Sequence, residues 1–341
     1  MINWEDAKMS KYRLIFIILV IIALPGILYL LIHLGVPLEE PAPPDAHFTI
    51  PEDLDDEETG ISVMSYNIRL INNEEQEEHY WTNRKEHLSN LIIDYRPDII
   101  GFQEVTHPQY KFLIEQLGDY YAFYGIYRSG MNRERGNILI SDIDPEPTFL
   151  NRLRIALVDE GSPIFFNKSR FELLERKTFW LNENPEKPGR GWDAAIKRIC
   201  TVVRLKDHYT DEILEVYNTH FDHRGTKAQQ KSAELISEKV MQSSEKAIVM
   251  GDFNVAEGGE VYNYLVEETL SDSKYLSPHQ NRDEGPTFNG FGNYRYEKPI
   301  DYIFVTANTL SASEYQIINK RYNNNYYISD HYPVLAKLKY K

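Results

Sequence analysis

Hydrophobic residues fall into three patterns along this chain, and each predicts a different kind of element. The first is an unbroken apolar run from Leu14 to Val36, interrupted only by Pro25, Gly26, His33 and Gly35. Its 23 residues at helical rise would reach roughly 35 Å, enough to cross a bilayer with some tilt. A buried core helix is the alternative, but soluble helices rarely stay free of charge over such a length, so the run predicts a membrane helix.

The second pattern is short and strand-like. Ile61–Asn67 alternates; Asp98–Phe102 and Ala247–Gly251 are near-continuous apolar runs; further strands are predicted at 301–305 and 333–338. Ile199–Leu205 and Ile213–Asn218 read as a hairpin across Asp207–Asp211. The third pattern is helical. Trp81, Leu88, Leu91, Ile92 and Tyr95 share a face, stopped by Pro97. Thr106 with Pro108 opens a helix through Leu117, and Thr226 with Gln229 predicts a capping box for a helix through Met241. Residues 128–160 show no clean period and read as a long loop or inserted hairpin. The order of elements predicts an α+β (mixed α/β) domain with stacked mixed sheets, not a purely parallel doubly wound one.

Charge refines the amino-terminal picture. Lys8, Lys11 and Arg13 precede the apolar run, and no Lys or Arg follows until Arg69. That asymmetry predicts an internal amino terminus over residues 1–13, a signal anchor over 14–36, and an extracytoplasmic domain beyond. A cleaved signal peptide fits less well, because the run is long and no small-x-small site follows. Residues 37–60 hold five prolines, nine acids and no Lys or Arg, which predicts an extended, solvated tether. Of the formal net charge of −15, the tether supplies −9 and the first thirteen residues +1, leaving −7 for residues 61–341. The domain is therefore mildly acidic, without the lysine-rich stripe that grips a long duplex. Its single cysteine, Cys200, excludes an intrachain disulfide and any multi-thiolate zinc site.

Candidate chemistry lies at the predicted strand ends. Asn67, Glu104, Asp252, Asn254, Asp301, Asp330 and His331 all fall there. Taken alone, Glu104 reads equally as a metal ligand or a cap, and a lone Asp330-His331 pair is common on surfaces. Together they form an oxygen-rich, thiolate-free set that selects Mg²⁺ or Mn²⁺ over zinc. Such an ion neutralises phosphate charge while a carboxylate orients or deprotonates water.

Six stretches carry a resemblance: MSYNIR (64–69), PDIIGFQEV (97–105), YNTHFDHRG (217–225), GDFN (251–254), IDYIFV (300–305) and SDHYPV (329–334). In this order they resemble the endonuclease/exonuclease/phosphatase superfamily of the deoxyribonuclease I type. The resemblance covers the chain after residue 60 and implies a four-layer sandwich of two packed mixed β-sheets flanked by helices. It implies Glu104 as metal ligand, with Asn67 beside it and Asp330 near the same or a second metal. Asp252 and Asn254 would hold the attacking water and a phosphate oxygen, Asp301 would orient His331 toward the phosphate, and His220 would contact it from the other side with Glu160 as partner. Without the family pattern, His220 and His223 read as an ordinary polar strand end.

Thr178–Leu181, Gly191–Ala195, Arg198–Thr201 and Pro286–Phe291 are similar to a bacterial branch grouped with deadenylase-like nucleases. That likeness implies Arg198 as a phosphate clamp and Trp192, Phe288, Asn289 and Phe291 around a base or sugar. For Trp192 and Phe288, core packing or loop anchoring is an equal alternative; for Trp180 core packing is preferred. The chain departs from the branch between Tyr124-Gly125 and Glu160, where more than thirty residues intervene, including Arg128, Arg133 and Arg135. The function expected is a membrane-anchored, Mg²⁺-dependent phosphodiesterase, a 3′–5′ exonuclease or nucleotide phosphodiesterase acting on single-stranded nucleic acid or nucleotides. A lipid, sugar or inositol phosphoesterase is the alternative, and an inactive membrane-linked binding module a third. No protein partner is indicated.

Overall fold

The computed structural model describes residues 60–71, 76–130, 159–243, 245–293, 297–306, 308–323 and 325–341. The expected amino terminus, membrane helix and tether, and most of the 128–160 insertion, lie outside the described residues. Among those described, no helix is long and apolar enough to cross a membrane.

Two six-stranded sheets carry the domain. The first contains β1 (Ile61–Asn67), β2 (Ile99–Gln103), β3 (Tyr121–Tyr124) and β4 (Ile164–Asn167). The second contains β5 (Phe171–Trp180), β6 (Ile199–Asp207), β7 (Ile213–His220), β8 (Lys246–Asp252), β9 (Leu270–Asp272) and β10 (Asp301–Thr306). The chain then returns to the first sheet with β11 (Leu310–Ile317) and β12 (Val334–Tyr340). The orders are β11-β12-β1-β2-β4-β3 and β9-β10-β8-β7-β6-β5. Each sheet has one parallel pair at its centre, β1–β2 and β7–β8, and its other pairs are antiparallel.

Alternation along the central strands builds the layers. Ile61 and Val63 of β1, Ile248 and Met250 of β8 and Val203 and Leu205 of β6 meet between the sheets. The opposite faces bury Met64 and Tyr66 under helices α1 (Trp81–Tyr95) and α2 (His107–Leu117), and Ala247 and Val249 under α3 (Thr226–Gln242) and α4 (Glu260–Glu268). Because side chains alternate with a period of two, both faces of a strand can be apolar and still serve two different cores. The result is the expected sandwich with helices outside both sheets.

Local signals fared unequally. The α2 start is a true capping box, Thr106 with Gln109. The predicted Thr226–Gln229 box is not formed. Asp193 reaches across to accept the Ala228 N–H at 2.7 Å, and Asp222 takes those of Arg224 and Gly225. Gln229 is thereby released to donate to the Asp222 and Asn254 carbonyls at 2.7 and 3.1 Å. A tertiary cap has displaced the local one, and the glutamine braces the loop after β8.

Candidate active site

The parallel pairs decide where the chemistry collects. β1 ends at Asn67 opposite Gln103, and β8 ends at Asp252 opposite His220 of β7 and Asp301 of β10. Carboxyl ends of parallel strands and the amino-terminal ends of their antiparallel neighbours thus lie along one edge of the sandwich, where loops can converge on a ligand. Five residues there hold left-handed backbone: Arg69 (φ 57°), Glu104 (φ 62°), Trp192 (φ 50°), Asn254 (φ 52°) and Phe291 (φ 53°). Such geometry is costly away from glycine, and its concentration at one edge marks a functional site.

Contacts run across the gap between the sheets. Asn67 Nδ2 donates to Glu104 Oε1 at 3.2 Å and to Asp252 Oδ2 at 3.0 Å, so one amide ties the two halves together. Leu70 N donates to Glu104 Oε2 at 2.9 Å, and Arg69 N to Asn67 Oδ1 at 3.0 Å. Burial works against the Glu104 charge, yet Arg69 and these donors hold its carboxyl below the usual range. Asp330 lies 3.5 Å from the Arg69 guanidinium. Burial and the Glu104 charge raise Asp330, while His331 and Arg69 oppose them.

The two histidines are in opposite states. His331 Nδ1 sits 2.8 Å from Asp301 Oδ2, and its Nε2 lies 3.7 Å from Asp252 Oδ2. Burial disfavours the charged ring, but Asp301 and Asp252 push it up to about 10. His220 Nε2 lies 3.4 Å from Asp252. Burial and the Arg198 charge lower its pKa well below the ordinary value, so the ring is neutral at pH 7. Burial, then Asp301, raises Asp252. Groups whose surroundings drive them apart in this way are suited to divide acid and base work. Asn254 N donates to Asp252 Oδ1 at 3.0 Å and its Nδ2 to the Phe221 carbonyl at 3.1 Å.

Three expected roles change. Glu160 is not the partner of His220. Its Oε1 takes Arg128, and Arg198 at 3.3 Å, while His220 Nδ1 is buried without a hydrogen-bond partner. Two guanidiniums outcompete one neutral imidazole for a buried carboxylate. Asn289 faces inward: Nδ2 donates to the Ser329 carbonyl at 3.2 Å, and Oδ1 accepts from Phe291 N at 2.9 Å. It braces the Ser329–Asp330 turn where a substrate contact was expected. Phe291 is stacked on His79 at 4.0 Å and is likewise taken. Phe288 stands edge-on to His331 at 4.8 Å and borders the site, whereas Trp192 is half-buried in a loop held by its backbone N–H on Glu183. Trp180 is buried and donates to the Arg128 carbonyl, as its core reading expects.

The donor set suits a hard divalent cation. Among the described residues, one polar atom each from Asp252, Asp301 and His331 lies within 4.8 Å of the others, and because the charged His331 ring has no lone pair to offer, the ligand atoms there are carboxylate oxygens. Glu104, Asn67 and Asp330 adjoin this group and offer further oxygens, whereas the Cys200 thiol is buried in the outer core. Clustered buried carboxylates of this kind are costly unless a cation balances them.

The sequence profile of the Endonuclease/Exonuclease/phosphatase family matches residues 64–331. The chain belongs to that family. Its members hydrolyse phosphoester bonds, and this chain is a phosphoester hydrolase. An endonuclease/exonuclease/phosphatase from Bacteroides vulgatus is 30% identical, with a TM-score of 0.69 over 83% of this chain and 100% of that one. The mannosyl-6-phosphatase of Bacteroides thetaiotaomicron is 29% identical, with a TM-score of 0.67 over 82% of this chain and all of that one, 100%. An uncharacterized protein of Acanthamoeba polyphaga mimivirus is 27% identical over 286 residues, which is 75% of this chain and 91% of its own.

The sequence passed over two contributors. Arg69 closes on Asp330, and its signal was the arginine inside MSYNIR. Arg84 lies within the apolar stripe of α1 between Trp81 and Leu88, a position where a charge needs an explanation.

Proposed function

We propose that this chain is a divalent-cation-dependent phosphoesterase that cleaves small phosphorylated substrates, with a phosphorylated sugar as the leading class. The observation that carries the chemistry is the Asn67 amide joining Glu104 of one sheet to Asp252 of the other, beside the Asp301–His331 pair. Glu104 and Asn67, with Asp330 alongside, would hold Mg²⁺ or Mn²⁺. A bound divalent ion supplies neutralisation of the phosphate charge.

The residues divide the remaining work. Charged His331 donates to a non-bridging phosphate oxygen, and Asp301 orients the ring and stabilises its charge. Asp252, with Asn254, orients the attacking water and draws its proton. Neutral His220 contacts the phosphate from the side of β7. Arg198, 5% exposed and beside Glu160, contributes a fixed positive charge nearby.

Three observations favour a small substrate. The domain is acidic, and the arginines around the site are already paired with Asp330, Asp159 and Glu160. The mannosyl-6-phosphatase neighbour acts, by its name, on a phosphorylated sugar. Phe288 borders the site, and such a ring stacks on sugars. A 3′–5′ exonuclease or nucleotide phosphodiesterase is the second reading, favoured by the same ring, which also stacks on bases. The chain enters β1 at Gly60, at the strand end opposite Asn67, roughly 20 Å away. The anchor expected from the sequence would be joined through the 37–60 tether, whose extended reach exceeds that distance. Membrane fractionation and protease protection of the full-length protein test that anchor.

The deciding experiment is a panel of sugar phosphates, inositol phosphates, sphingomyelin, nucleotides and single-stranded oligonucleotides, run with Mg²⁺, with Mn²⁺ and with EDTA. Sugar phosphate turnover that stops with EDTA supports the first reading, oligonucleotide shortening the second. No turnover on any member with metal present overturns both.

A further inference from the structure

Helix α1 buries an arginine in its apolar face. Arg84 is 1% exposed, and its guanidinium donates to carbonyls from three separate loops. Nε reaches the His79 carbonyl at 2.7 Å; one terminal nitrogen reaches those of Ile68 and Ile328 at 3.0 and 2.8 Å; the other reaches Arg69 at 3.3 Å. The Trp81 and Phe291 rings lie against it, at 5.7 and 5.5 Å from its central carbon.

The carbonyls it holds flank residues that carry the chemistry. Ile68 and Arg69 directly follow Asn67, and the next residue, Leu70, donates to Glu104. Ile328 precedes Ser329, whose hydroxyl donates to the Asn67 carbonyl at 2.7 Å, and then Asp330. One rigid plane therefore fixes the loop after β1 relative to the turn before β12. Gln109 supports it with a second donor on the Arg69 carbonyl at 2.7 Å, which helps hold that residue in its left-handed backbone.

We propose that Arg84 is a positioning residue that sets the spacing of Glu104, Asn67 and Asp330 for a divalent cation. The inference rests on the metal-dependent reading above. Only a guanidinium can serve all four carbonyls, because its donors are planar and fixed; a lysine ammonium offers three donors on a flexible stem. Groups that orient metal ligands from outside typically change affinity about 10- to 100-fold when removed.

The test compares full-length wild type with Arg84→Lys and, as a control, Arg170→Lys. Arg170 is equally buried but bonds Asp207, Asp98 and the Gly60 carbonyl, at the opposite end of β1. Manganese binding is read by calorimetry and by the metal-induced shift in melting temperature, and turnover is split into kcat and KM. Both variants lose melting temperature. Arg84→Lys alone raises the half-saturating manganese concentration about tenfold or more and lowers kcat more than it raises KM. Manganese affinity equal to wild type in Arg84→Lys overturns the proposal, and a wild type that binds no manganese overturns it together with the metal-dependent reading. If Arg84→Lys does not fold, Phe291→Ala serves. It removes a partly exposed ring from the guanidinium face and should raise the manganese midpoint severalfold; an unchanged midpoint refutes the idea.

Discussion

Replacing Asp301 with asparagine removes one charge and almost no volume, so it isolates electrostatics from packing. Asp301 Oδ2 is 2.8 Å from His331 Nδ1 and heads the influences that carry the ring from 6.5 to about 10 against its burial. That displacement is worth about 5 kcal/mol of preference for the charged imidazole. Asp252 supplies part of it, so losing Asp301 moves the ring back toward its ordinary value and shrinks the charged fraction most at the alkaline end of the assay, pH 8 to 9. The Asn amide can still meet Nδ1, so the ring stays in place while its hold on the proton weakens.

The expected cost is about 10²- to 10³-fold in kcat, which by the transition-state relation corresponds to about 3–4 kcal/mol. KM should change little, because ground-state contacts with the substrate persist. The assay is steady-state turnover from pH 6 to 9 with saturating Mg²⁺, paired with ¹⁵N shifts of the His331 ring. The double variant Asp301→Asn/His331→Asn should be no worse than His331→Asn alone, since the aspartate acts through the histidine. A variant within threefold of wild type in kcat, with ring shifts still those of an imidazolium, would refute the reasoning.

Further outcomes follow from single contacts. Glu104→Gln should raise the half-saturating Mg²⁺ concentration at least about 100-fold while melting close to wild type without metal; an unchanged metal titration removes Glu104 from the ligand set. Gly251 has φ 152°, and a Cβ there would stand 2.0 Å from the Thr219 carbonyl oxygen, so Gly251→Ala should cost about 3 kcal/mol or more in urea unfolding; a loss within experimental error refutes the clash. Burial pushes Asp272 up to about 6 from 3.8, which favours the protonated form in the fold. Its contribution is therefore fully present below pH 3.8 and lost as pH rises through 6, by about 3 kcal/mol. Asp272→Asn should gain stability relative to wild type at pH 7.5 and lose that advantage near pH 4, and a pH-independent difference would sink the argument.

Legibility in the sequence followed burial. Strands β1, β2, β8 and β10 are apolar on both faces and end in polar residues, so their runs and their chemistry could be read together. Edge strands could not. β5 reads FELLERKTFW, with Glu172, Glu175, Arg176 and Lys177 guarding an exposed edge, and that charge hides its period. β11 carries a bulge between Ala312 and Glu314, which breaks its alternation. In the site, residue identities were legible but partners were not. Glu160 was recognised as a site acid, yet nothing local says that Arg128 and Arg198 would claim it ahead of His220. Asn289 reads as a ligand contact in a loop motif, and only the fold shows its amide turned back onto Ser329.

The site's two halves come from different sheets, which makes sheet packing part of the chemistry. Asn67, Glu104, Asp330 and His331 belong to the first sheet and its loops, and His220, Asp252, Asn254 and Asp301 to the second. The distance between halves is set by a buried polar bridge just beneath them. Gln103 Nε2 donates to Asn218 Oδ1 at 2.7 Å, and Asn218 Nδ2 donates to the Phe102 and Pro163 carbonyls at 2.8 and 2.9 Å. Gly101 makes room for it, since a Cβ there would lie 2.7 Å from Asn218 Oδ1. Apolar packing alone tolerates small sliding of one sheet over another, whereas directional buried amide contacts of this kind hold one register. The Asn67–Asp252 and Asp301–His331 contacts both cross that interface, so a shift that breaks the bridge would open both at once and leave two inactive half-sites.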